Sequence, residues 1–156
     1  MNHWLMKSEP ATFGIDALAK CPRKTTHWDG VRNFQARNFM RDGMRRGDRA
    51  FFYHSNCEEP GIVGIVKIVR EGYPDHTAFD ASDAHFDPGS NPDKPRWYMV
   101  DVQLERKFRR TISLATLREH ENRALKGLAL LKRGNRLSVT PVSAAHWKFI
   151  VDLASR

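Results

Sequence analysis

The amino-acid pattern predicts an α+β domain built on a small, strongly curved sheet or β pseudo-barrel of about five or six strands, flanked by short helices. Three observations carry that expectation. Aromatic and β-branched runs of strand length, RAFFYHSN from Arg49 and IVGIVKIV from Ile62, follow one another across Pro60-Gly61, as in a hairpin. From Trp97 to Leu104 one face carries Tyr98, Val100, Val102 and Leu104 and the other Trp97, Met99, Asp101 and Gln103, so one face is buried and the other is wet or lines a site. Helical spacing is confined to short segments between strands and near both chain ends. At 156 residues the chain is a single domain by length, 1–156, with about two thirds of its unfolded surface buried on folding.

Taken in order, WLMKSE from Trp4 to Glu9 reads as a strand stopped by Pro10, with Trp4, Met6 and Ser8 on one face and Leu5, Lys7 and Glu9 on the other. A short helix is expected from Ile15 to Lys20, and the basic segment Arg23–Thr26 as a loop. The stretch His27–Arg41, HWDGVRNFQARNFMR, organises the rest. Asp29-Gly30 is a turn dipeptide that can hold Trp28 at the mouth of a cavity. Beyond it Ala36, Phe39 and Met40 form one apolar helical face, while Arg37, Arg41 and Arg45 follow at i+4. Such a stripe beside an aromatic suits phosphate contacts next to a base-stacking surface; the alternative is a core Trp beside a solvated basic face.

Phe51, Tyr53 and Ser55 share one strand face, and Phe52 and His54 the other. In the next strand, Ile62–Val69, Gly64 marks a bulge or a close approach. Tyr73–Lys94, rich in Asp, Pro, Ser, Gly and His, reads as a long functional loop. The cluster Arg106, Lys107, Arg109 and Arg110 is either a phosphate-facing patch or a solvated strand end. Ser113 caps a short helix, Leu114 to about His120. Further apolar turns fall at Leu125–Leu131. Arg136–Val142 is a short strand whose Pro141 argues for a sheet edge. Ser143 begins a last helix with Trp147 in the core.

Lys and Arg number 26 against 18 Asp and Glu, a net charge of +8, which favours an anionic partner, nucleic acid first. No apolar run approaches the roughly 18 residues of a membrane span. Two cysteines without CxxC spacing, and no secretory signal, lead to the expectation of a reduced compartment, cytoplasm or, in a eukaryote, nucleus. No metal and no cofactor are expected, since seven scattered histidines and two distant cysteines form no ligand pair at a usual spacing.

Six strings, WLMKSEP, WDGVRNFQARNFMR, GDRAFFYHSN, PGIVGIVKIVREGYPD, PRWYMVDV and RLSVTPV, in that order and over nearly the whole chain, resemble an EVE domain of the PUA-like superfamily. The resemblance implies a β pseudo-barrel with a concave site for a modified, flipped-out base, with modified cytosine in DNA as the leading ligand. Carried over position by position, it places Lys7, Ser8, Glu9, Trp28, Gly30, Val31, Asn33, Tyr53, His54, Ser55, Ser138 and Val139 at the base pocket. Arg32, Arg37 and Arg41 are expected on phosphates. One departure is Thr140, where the family commonly has Gln, which weighs against an amide-to-base hydrogen bond there.

Competing readings are an RNA- or tRNA-binding domain and a small-molecule sensor using the same pocket. An enzyme built on His54 and Ser55 with Glu9 is disfavoured, because neighbours on a strand point to opposite faces. The expectation is a non-catalytic, monomeric nucleic-acid-binding module.

Overall fold

Alternation in the first and third strands dictates the framework. In a computed structural model describing all 156 residues, Met1–Arg156, β1 (His3–Ser8) buries Trp4, Leu5 and Met6 in succession. Likewise β3 (Arg49–His54) buries Ala50, Phe51, Phe52 and Tyr53. Successive side chains point to opposite faces, so a strand buried at every position must be covered on both. Two cores result. One holds Trp4, Met6, Trp28 and Phe52, and the other Leu5, Phe51, Tyr53 and Trp147.

The remaining strands are β2 (Thr25–Trp28), β4 (Gly61–Pro74), β5 (Tyr98–Ser113) and β6 (Val139–Val142). All six form one sheet in the order β2-β5-β4-β3-β1-β6. β1 runs parallel to β3 and every other pairing is antiparallel. The expected pseudo-barrel is therefore corrected to an open mixed sheet. β2 pairs only with β5 and β6 only with β1, leaving two edges, and apolar side chains fill both faces instead of one enclosed interior.

Short helices cover the faces. α1 (Pro10–Phe13), α2 (Ile15–Lys20) and α3 (Phe34–Asn38) lie with the Trp28 core, to which α2 contributes Ile15 and Leu18 and α3 contributes Ala36. A π-type turn, Phe39–Gly43, continues α3 and adds Met40. On the other face sit α4 (Leu114–Arg118), with Leu117, and α5 (Ala144–Ala154), with Trp147 and Ile150. No helix is long and apolar enough to cross a membrane.

Several boundaries depart from sequence expectation. Glu9 is not in β1 but caps α1, a helix that the single turn PATF did not announce. Residues 25–28, of which 25 and 26 were expected in a loop, form edge strand β2. β4 and β5 run well past the expected ends, and their pairing shifts register at four places, which breaks the alternation a sequence reader follows. At one of these shifts Gly64 is required, because a Cβ there would stand 2.4 Å from the Arg106 carbonyl oxygen. Pro141 lies on edge strand β6, as its missing donor requires.

Trp147 stacks on Phe51 at 3.9 Å between ring centroids and on His3 at 4.5 Å, joining α5 to the sheet. Trp147→Ala is expected to lower the unfolding free energy by about 3 to 5 kcal/mol in urea titration. A loss under about 1 kcal/mol would show that α5 contributes little to the second core.

Candidate nucleic-acid interface

Where β1 and β2 end, a cavity of about 590 Å³ opens. Three chain segments meet there through main-chain hydrogen bonds. The Lys7 N–H donates to the Ser138 oxygen at 2.8 Å, and the Ser55 N–H to the Ser8 oxygen at 3.0 Å. Lys7, Ser8, Glu9, Ser55, Arg136 and Ser138 supply the polar wall, and Phe13, Trp28 and Val31 the apolar one. The Ser8 hydroxyl is committed, donating to the Phe13 oxygen at 2.6 Å, and Glu9 accepts from Asn56 Nδ2 at 3.1 Å. Lys7 and Arg136 take part in no ion pair. Burial holds the Lys7 ammonium below its ordinary pKa. Both readings of Trp28 hold in part: it is only 7 % exposed, packed edge-on against Phe52 at 5.3 Å, yet its rim reaches the cavity.

The cavity mouth is held by a carboxylate from a distant segment. Asp75, fully buried, begins the long connection between β4 and β5. It accepts from the Gly30 N–H at 2.8 Å, Arg32 Nη1 at 3.0 Å, and the Thr77 N–H and hydroxyl at 2.8 and 2.6 Å. Burial alone would push its pKa up, but the hydrogen bonds from Thr77, Gly30 and Arg32 outweigh this and hold it below the usual carboxylate range. Arg32 also grips the His85 carbonyl oxygen with Nε and Nη2, at 3.1 and 2.7 Å. Its guanidinium lies 5.5 Å from the Trp97 ring. That clamp lays the His85 ring over Gly30, whose φ is +78° and whose Cβ, if present, would stand 2.6 Å from His85 Cε1. His85 thereby becomes part of the cavity wall.

The family model for the EVE domain matches residues 2–153. The chain belongs to the EVE-domain family. It is 52 % identical to thymocyte nuclear protein 1 of Danio rerio over 167 residues, covering 97 % of this chain and 71 % of that protein. Among solved structures it resembles human THYN1 in complex with 5-methylcytosine-containing DNA, with 46 % identity, a TM-score of 0.95, and coverage of 100 % of this chain and 99 % of that one. A protein from Pseudomonas putida is similar at 46 % identity and a TM-score of 0.92, covering 97 % of this chain and 99 % of its own.

In this EVE domain Lys7, Ser8, Glu9, Trp28, Gly30, Val31, Ser55 and Ser138 come together on the cavity. Four residues expected there do not line it. Asn33 is the N-cap of α3, accepting from the Gln35 and Ala36 N–H groups. Tyr53 lies in the core on the opposite sheet face. His54 Nε2 accepts from the Ile15 N–H at 3.1 Å, and burial keeps its pKa below the ordinary value. Val139 is fully buried. Thr140 is buried too, opposite Leu5 in the sheet, so the family departure there does not touch the cavity.

Among the cations, Arg32 is internal and engaged, not free for phosphate. Arg37 donates to the Arg96 oxygen at 2.8 Å, and Arg41 pairs with Asp42 at the surface. Sequence reasoning missed Thr12, Phe13, Thr26, His27, Asp29, His85 and Arg136. Adjacency to Trp28 could have found His27 and Asp29, and the opening of the RLSV string Arg136; no local signal marks His85.

Asp75→Asn is expected to lower stability at pH 7 by about 3 kcal/mol, the low end for breaking a buried pair, because the Arg32 side chain keeps 23 % exposure. The folded pKa of Asp75 is depressed, so its contribution is complete above the unfolded value of about 3.9 and is lost as pH falls through the folded value. Urea titrations of the two proteins should therefore converge as the pH drops below about 4. A gap that stays constant into acid would contradict the assignment.

Proposed function

We propose that this EVE domain binds DNA without chemical turnover and receives a modified cytosine, rotated out of the duplex, in the cavity beneath Gly30 and His85. The observation that carries the proposal is the likeness, over the full length of the chain, to human THYN1 in complex with 5-methylcytosine-containing DNA. The cavity, at about 590 Å³, falls within the roughly 300–1,000 Å³ span of small-molecule sites. Its chemistry suits a pyrimidine edge. Lys7, Arg136 and the Ser55 and Ser138 hydroxyls can donate to ring acceptors, Glu9 can accept from an exocyclic amine, and Val31 and Phe13 offer an apolar wall for a methyl group.

Extrusion costs a few kcal/mol in lost stacking and pairing. Full aromatic stacking offsets about 1 to 3 kcal/mol per base, and the rim of Trp28 supplies only part of that, so the hydrogen bonds must contribute as well. The net charge of +8 attracts the duplex and makes affinity fall with salt. Binding is favoured over hydrolysis because His54, which an activated serine would need, spends its Nε2 on Ile15.

Anisotropy titration against matched duplexes with and without 5-methylcytosine, and RNA of the same sequence, tests the reading. The expected preference for the methylated duplex is about tenfold, the low end for methyl recognition in an apolar pocket. Ser55→Trp, which places a ring in the cavity, is expected to abolish the preference and leave salt-dependent binding. Equal affinity for both duplexes, or tighter binding to RNA, would overturn it.

A further inference from the structure

A second concavity, of about 1100 Å³, lies along the latter half of β5 and the end of α5. Its walls carry Arg106, Lys107, Arg109, Arg110 and Arg156, and no Asp or Glu. The arrangement follows from topology. β2 pairs with β5 only as far as Gln103, so beyond that point β5 has β4 on one side and a free edge on the other. The bland reading is that charge here keeps a bare edge from pairing with another chain. One feature goes beyond that. Lys107 is neutralised by Asp16 of α2, whereas Arg106 and Arg109 have no acidic partner, and Arg106 is braced over the Phe108 ring at 5.2 Å.

We propose that this groove holds the phosphodiester backbone of bound DNA, as a second contact independent of the base cavity. Contacts to phosphate position a duplex and carry no sequence information, so the groove adds affinity without adding discrimination. It goes beyond the modified-base reading, since it concerns binding to any duplex.

The test is the salt dependence of binding to unmodified duplex DNA, for the wild type, for Arg106→Gln/Arg109→Gln, and for a charge-matched control at two exposed cations with no ion pair, Arg123→Gln/Lys126→Gln, in the connection between α4 and β6. The groove double variant should make the slope of log affinity against log salt shallower by about 1.8, at about 0.9 per phosphate contact, while the control leaves it nearly unchanged. Equal flattening in both would reduce the effect to net charge, and no flattening in either would leave the arginines as edge protection; each overturns the proposal. Thermal melts confirm that these surface changes leave the fold intact. With methylated DNA the groove variant keeps the wild-type preference. A wild type with no preference at all would refute the cavity reading and leave the groove result standing.

Discussion

The buried carboxylate of Asp75 is the constraint on which the site depends. It sits at the start of the long connection between β4 and β5, and it collects donors from Gly30, Arg32 and Thr77. Removing a charge from water is costly unless it is paired and hydrogen-bonded, and here the Gly30 and Arg32 donors also fix pieces of the cavity mouth. The Gly30 amide sets the turn after Trp28. Arg32, held by Asp75, in turn holds the His85 carbonyl. A single ionised group thus ties the lip to the loop that covers it.

The two-core sheet gives that lip something rigid to stand on. With β1 and β3 buried on both faces, the strand ends cannot shift without disturbing aromatic packing on each side. Ser8, Ser55 and Ser138 sit just at or beyond those ends, where main-chain hydrogen bonds hold neighbouring segments together. A candidate site at strand termini and connections, on a scaffold packed on both faces, matches the general division between framework and site.

Sequence was a good guide where one segment settles its own fate. The alternation in Trp4–Ser8, the position of Trp147 in a helix that packs on the sheet, and the edge status implied by Pro141 could each be read locally. It was a poor guide where partners are far apart. Arg32 looked like a phosphate ligand because its partner, Asp75, is 43 residues away, and within the loop Tyr73–Lys94, read as functional, nothing singled out His85, whose carbonyl is held by Arg32 from 53 residues away. The register shifts along β4 and β5 concealed the length of the longest strands. The number of short strands and the EVE resemblance suggested a strongly curved sheet or pseudo-barrel, but β2 and β6 remain separate edges, and the apolar side chains on both sheet faces are covered only once the helices are placed. The EVE resemblance located the cavity better than the side chains around it: Asn33, Tyr53, His54 and Val139 carry motif positions yet serve capping, core or helix-holding roles.

The most direct test of the account is the crystal structure of this domain bound to a duplex carrying one 5-methylcytosine. The account predicts the methylated base out of the stack and inside the cavity, its edge against Lys7, Ser55, Arg136 or Ser138, with Arg32 still clamped between Asp75 and His85. A base left stacked in the duplex, or an Arg32 released from Asp75 to hold a phosphate, would contradict it.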